Sequence, residues 1–132
     1  MRRFAVHRDA ATAEFFDGTG RGEFLLVRDT RTGAVLEPQF DTTVDPERFV
    51  RTPAAGTGTV VSWSVVHHRE ADGSTSRSPV GIVELDEGPW WWTAIAGVDP
   101  DDDLLGRRVR VAFEKVADGE TIPYFTAIER TA

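Results

Sequence analysis

From Gly58 onward the sequence takes on a period of two, and that alternation limits what the chain can fold into more than any other feature. Val109, Val111 and Phe113 alternate with Arg108, Arg110 and Glu114, the spacing of a strand with one buried and one wet face. Between Thr59 and Arg69, Val61, Trp63 and Val65 form an apolar set while Ser62 and Ser64 point the other way. Val80 to Leu85, Trp90 to Val98 and Ile122 to Glu129 supply three further strands, with Asp86-Glu87-Gly88-Pro89 as a turn. Asp99-Pro100-Asp101-Asp102-Asp103 places a capping Asp before a proline suited to a first helical turn, and Gly106 ends it. Five strands in about 75 residues, with a helical turn between the third and fourth, predict a partly open Greek-key barrel of the OB type. A small sandwich is the alternative.

The residues before this segment read differently. Asp9 to Phe16 begins with an N-cap residue type and continues through helix formers until Asp17-Gly18-Thr19-Gly20 stops it. Phe24 to Arg28 and Ala34 to Leu36, separated by Asp29-Thr30-Arg31-Thr32-Gly33, predict a hairpin. Glu37 to Gly58 carries Pro38, Pro46, Pro53, Gly56 and Gly58, so it is read as a connector with at most a turn of helix around Pro46 to Phe49. The domain organisation expected is an N-terminal appendage over 1–55 and a barrel over 56–132.

Charge and composition remove several function classes. The 132 residues carry 15 Lys+Arg against 22 Asp+Glu, a net charge of −7. Phosphate backbones and anionic membranes are bound by clustered cations, and Lys115 is the one lysine, so general nucleic-acid or membrane binding is disfavoured. No stretch approaches the roughly 20 apolar residues of a membrane span, and Met1-Arg2-Arg3 is followed by no apolar h-region, so a cytoplasmic location is expected. The absence of cysteine removes disulfides, thiolate nucleophiles and sulfur-ligated zinc.

Most catalytic motifs are imitations. Gly18-x-Gly20-x-Gly22 follows a helix instead of a strand, with no Gly-Lys-Ser/Thr after it. Asp99-x-Asp101-x-Asp103 begins like a calcium loop, but Leu104 and Arg110 stand at its sixth and twelfth positions in place of Gly and Glu. His67 and His68, adjacent on a strand, point to opposite faces and cannot chelate one metal together. A free-standing hydrolase or hydratase would need one of them as base, and nothing else assembles around it.

Trp90-Trp91-Trp92 is the unusual feature. On a strand Trp91 faces away from its neighbours, so a small barrel cannot bury all three rings in one core, and at least one is expected on the surface. An exposed Trp could stack on a base, cover an apolar ligand or anchor a protein interface. The bland reading is that the rings close the barrel end or pack under the appendage.

The chain resembles the zinc-ribbon plus OB-fold family of acyl-CoA-associated proteins, long labelled as a domain of unknown function. The resemblance runs through Ala13-Glu14-Phe15-Phe16-Asp17-Gly18, the segment from Gly58 to His67, Val83-Glu84-Leu85-Asp86-Glu87-Gly88-Pro89, Asp99-Pro100-Asp101-Asp102, and Gly106-x-x-Val109-x-Val111-x-Phe113. It implies an N-terminal helix, a rubredoxin-like zinc ribbon and a C-terminal OB barrel. It also implies a non-catalytic partner of thiolase-fold enzymes, including lipid-transfer-protein-like retro-aldolases of steroid side-chain breakdown, or of enoyl-CoA hydratases. The implied role is to bind or present the acyl-CoA and to support the partner's active site.

The departure lies at the zinc site. Asp29-x-x-Thr32-Gly33 stands where the first Cys-x-x-Cys-Gly knuckle is expected, and the second pair falls near Thr43 and Pro46. No structural zinc is therefore expected, and the degenerate hairpin must be held by Phe24, Leu26, Leu36 and Phe40, or by a partner. The expected function is an accessory subunit, no enzyme by itself, with no catalytic residues and a coenzyme A thioester as its one conceivable small ligand. Trp90, Trp91 and Trp92 are the interface or ligand candidates, and Arg107, Arg108 and Arg110 are candidates for the coenzyme A phosphates. These residues are assigned from their own chemistry, because the resemblance names none. A single-strand nucleic-acid or small-ligand OB module is the alternative.

Overall fold

A computed structural model describes residues 5–129. Helix α1 (Ala13–Gly20) is followed by β1 (Leu25–Asp29), β2 (Val35–Leu36), a turn of 3-10 helix at Thr42–Val44 and β3 (Phe49–Pro53). Then come β4 (Thr57–Arg69), β5 (Thr75–Leu85), β6 (Trp90–Ala96), β7 (Arg108–Lys115) and β8 (Thr121–Ala127). The last five close a barrel in the order β4-β5-β6-β8-β7, with β6 and β8 parallel and the other pairs antiparallel. Strands β2, β1 and β3 form a separate antiparallel sheet. No helix among the described residues is long and apolar enough to cross a membrane.

The alternation correctly marks the barrel strands, but in β4 its phase shifts. Val60 pairs with Val83 and Ser62 with Ile82, leaving Val61 as the extra residue of a β-bulge. Before the bulge Gly58 and Val60 are buried. After it Trp63 takes the inward side and packs against the core, while Ser62 and Ser64 are exposed.

The appendage contributes to the barrel's core. Phe15 from α1 and Phe24 and Leu26 from β1 belong to one buried cluster with Val60, Val83, Leu85, Ile95, Leu104, Val109 and Phe125. The Phe24 ring lies 5.3 Å from Trp91, 5.7 Å from Phe125 and 5.9 Å from Phe15, edge-to-face in each case, the arrangement aromatic quadrupoles favour.

Three local expectations are corrected. The helix begins a turn later than Asp9 and runs through Asp17-Gly18-Thr19-Gly20. Asp9 instead holds a turn in which its carboxylate accepts from the Thr12 N–H and hydroxyl. Gly18 is needed where helix meets sheet, since a Cβ there would lie 2.6 Å from Leu25. The connector contains a whole strand, β3, which pairs with β1 from Leu25↔Pro53 to Asp29↔Phe49. Its flanking prolines obscure it, but Pro53 ends the strand, where a missing donor costs least.

The expected helical turn after Asp99 is absent. The Asp99 carboxylate accepts from the Asp101 N–H and the Asp103 carboxylate from the Leu105 N–H. Such side-chain bonds to the backbone two residues on compete with helix, and they leave Leu104 buried in the core.

Candidate functional site

Strand β6 divides its three tryptophans as pleating demands. Trp91 turns inward, 5.9 Å from Phe15 and 5.3 Å from Phe24, and so packs beneath the appendage. Trp90 and Trp92 face out, 54% and 75% exposed. Pair registers set the outer face in rows: Arg108, Thr59, Glu84 and Trp90; then Ser62, Ile82 and Trp92; then Ser64, Val80 and Ala94. The second and third rows line a groove of ≈ 510 Å³ with no charged side chain in its wall. A second apolar hollow of ≈ 300 Å³, lined among others by Val6, Phe16, Ile122 and Pro123, also reaches Trp92. The exposed indole thus borders two apolar depressions. This surface can bury apolar area, but it holds no group arranged for proton transfer.

The candidate arginines sit on the β4–β7 seam. Arg108 donates to both carboxylate oxygens of Asp86, at 2.7 and 2.9 Å, and to the Thr59 hydroxyl at 3.1 Å. That pairing, with a hydrogen bond from Thr57, lowers the Asp86 carboxyl to about 2. Arg108 shares the outer face with Trp90, but its charge is already compensated. Arg107 is half-buried, and its backbone carbonyl accepts from Val60 N–H. Its Nε has no partner among the described residues. Arg110 is exposed opposite Thr57 and Thr126.

At the zinc-ribbon positions a different clamp has formed. Arg48, in the turn just before β3, donates from Nε and Nη2 to the two oxygens of Asp29, at 3.0 and 2.8 Å. Asp29 also accepts the Arg31 N–H at 2.9 Å, and Thr30 donates from backbone and side chain to the Arg48 carbonyl. The Arg48 guanidinium, ahead of the other hydrogen bonds, holds the Asp29 carboxyl well below the usual carboxylate range. Thr43 is occupied with Asp41, which accepts from its N–H and hydroxyl. One arginine-paired carboxylate, two threonines and a proline do not fit a tetrahedral zinc ion. No group of three or more metal-ligating side chains occurs among the described residues.

A second tie joins the helix lead-in to the same region. Arg51 on β3 donates to the backbone carbonyls of Pro38, Ala11 and Phe40, and its guanidinium lies 5.8 Å from the Phe15 ring. The Phe40 ring lies 4.6 Å from that of Phe49, tilted by 54°. Sequence reasoning missed Arg48 and Arg51 because Arg51 lies on the unrecognised strand and Arg48 in the turn that leads into it. The available signal was Asp29 itself, a carboxylate at a hairpin turn where a ligand was expected.

The remaining motifs stay apart. His67 is exposed and His68 half-buried, opposite Arg77 and Ser76 respectively. Asp101 of the acidic run pairs with Arg77 at 2.6 Å.

A closed five-strand barrel in this order, with a parallel pair between its third and fifth strands, defines an OB-fold protein. Residues 51–114 match the family model described as ChsH2, C-terminal OB-fold domain. A solved structure titled "Ltp2-ChsH2(DUF35) aldolase" is similar along nearly the whole molecule. It is 26% identical with a TM-score of 0.74, covering 95% of this chain and 98% of that one. No curated protein matches.

Proposed function

We propose that this chain is a non-catalytic accessory subunit that docks on a thiolase-fold, lipid-transfer-protein-like aldolase or thiolase. There it supports acyl-CoA binding or the partner's activity in lipid or steroid side-chain degradation. The observation that carries the reading is the likeness, over almost the full length of both chains, to a chain of an Ltp2-ChsH2 aldolase. The exposed Trp90 and Trp92 support it, because large half-wet indoles beside apolar hollows are the usual anchors of protein interfaces. Arg110 and Arg107 are the better placed of the three arginines to meet coenzyme A phosphates, since Arg108 is paired.

Co-expression with the thiolase-fold protein encoded nearest to this gene, then size-exclusion chromatography and aldolase and thiolase assays with and without this chain, tests the reading. A stable complex whose activity depends on the chain is expected. A monodisperse chain that neither binds nor alters that enzyme would overturn the pairing.

A small-ligand role draws support from the groove of ≈ 510 Å³, a size that suits a drug-sized apolar molecule. A single-strand nucleic-acid role draws none, because the groove is uncharged and the net charge is −7.

A further inference from the structure

The barrel closes over only part of β4. Strand β7 pairs with Thr57, Gly58 and Thr59, and the seam continues one residue further, where Val60 donates to the Arg107 carbonyl and accepts from Gly106 N–H. Beyond Val60, β4 runs on for nine residues to Arg69, paired with β5 alone.

Which backbone groups remain open follows from the ladder. Glu70 N–H donates to the Ser74 carbonyl. Backbone groups on an antiparallel strand face the partner at every second residue, so those of Ser62, Ser64, Val66 and His68 face β5. Those of Trp63, Val65, His67 and Arg69 face away from it. In the near half the phase is the opposite one, with Thr57 bonding toward β5 and Val60 away from it, and the extra residue Val61 shifts it before Ser62. Among the described residues β4 pairs with no strand but β5 and β7, and no backbone bond of a turn or loop reaches those four.

Proteins usually blunt such an edge with charge, proline or a cover. Strand β5 does so where it outruns β6, whose pairing stops at Val80↔Ala94. Its free edge there carries Pro79 and Arg77, opposite Val65 and His67. The β4 edge has no such guard from Val61 to Val66, where every residue is Val, Ser or Trp.

We propose that this β4 edge, from Trp63 to Arg69, receives an extended strand from a partner polypeptide, which enlarges the sheet whose outer face carries Trp92. The identity of that partner rests on the accessory-subunit reading above. Donors and acceptors that alternate along a strand edge match a polypeptide backbone and no small ligand. Charge narrows the occupant further: the edge is neutral from Trp63 to Val66 and carries the Arg69 guanidinium at its far end. The incoming segment is therefore β-branched and uncharged at one end and acidic at the other. A second copy of a chain carrying net charge −7 is a poorer match.

Residue-resolved amide exchange reads the edge directly. In the free chain the Ser62, Ser64, Val66 and His68 amides exchange slowly, and those of Trp63, Val65, His67 and Arg69 exchange fast. In the complex with the co-expressed thiolase-fold protein the second set slows at least about tenfold. Val65→Pro removes an N–H that β5 does not use, so it abolishes co-purification while leaving circular dichroism unchanged. If that variant does not fold, the exchange data on the wild-type complex decide. A wild-type complex in which those amides stay fast overturns the proposal, as does a folded V65P chain that binds normally.

If the wild type forms no such complex, the accessory reading falls on its own. The edge is then probed with a short peptide of alternating threonine and valine that ends in aspartates. Slowing of the same four amides upholds the edge, and no slowing at millimolar peptide overturns it. Slowing in the concentrated chain alone, with a dimer by sedimentation, assigns the edge to a second copy and overturns the partner.

Discussion

Replacing Phe24 by alanine tests whether appendage and barrel are one cooperative unit. Phe24 is 2% exposed and touches rings from the helix, from β6 and from β8. Truncating a ring buried to this degree costs about 3 to 5 kcal/mol, from lost transfer energy and the cavity left behind. Leucine at the same position keeps most of the volume and loses the three edge-to-face pairs, so it costs about 2 kcal/mol at 0.5–1.5 per pair with partial replacement. Urea unfolding followed by tryptophan fluorescence measures both. With a slope of about 1.5 kcal/mol per molar, F24A lowers the midpoint by about 2 to 3 M. One transition with unchanged slope is expected, because the barrel loses the ring that seals Trp91 and Phe125. A midpoint that moves by less than about 0.5 M, or a new early transition followed by an unaltered main one, would refute the shared core.

Other expectations follow from single contacts. Gly18→Ala forces a Cβ against Leu25 and costs about 1 to 3 kcal/mol, whereas Gly20→Ala meets nothing within 4 Å and gains up to about 1 kcal/mol; equal effects in urea titration would contradict the close approach of helix and sheet. Asp29 pairs with Arg48 and its carboxyl titrates below its ordinary value of 3.8, so the stability it adds is complete at neutral pH and drains away as the pH falls below about 4. The gap between wild type and Asp29→Asn should therefore shrink in acid, and a gap that is the same at neutral pH and below about pH 3 would count against the clamp. Trp92→Ala should leave the unfolding midpoint of the free chain almost unmoved, within about 0.5 kcal/mol, while weakening the proposed complex by about 2 kcal/mol, roughly 30-fold. Titration calorimetry that finds full affinity would remove Trp92 from the interface.

The barrel was legible because β4 and β7 alternate strongly enough to declare a buried face and the turn sequence around Gly88 marks where β5 and β6 reverse, as that around Gly33 does for β1 and β2 in the appendage. Strand β3 was not legible. Phe49-Val50-Arg51-Thr52-Pro53 is short, lies between prolines, and owes its existence to pairing with β1, a long-range fact that its own residues do not announce. The run after Asp99 misled for a different reason, because the same aspartates that cap helices also fold back on their own backbone. The division of Trp90, Trp91 and Trp92 between two faces could be read from strand parity. That Trp91 would find its companions in Phe15 and Phe24 followed only from the fold, and so did the open edge of β4, which depends on where β7 stops.

The extra residue at Val61 carries a consequence for how this segment can change over time. On its near side the even-numbered Gly58 and Val60 face the core, and just past it the odd-numbered Trp63 does while Ser62 and Ser64 are exposed. Loss of one codon there would restore a single unbroken phase, turn Trp63 and Val65 toward water, and drive Ser62 and Ser64 inward. Substitution along β4 is therefore a local event, felt by one pair of neighbours. A change of length is not, since it would invert half the strand at once. Sequences that share this architecture should vary in residue type at the exposed positions between Gly58 and Arg69 while keeping the number of residues between them fixed.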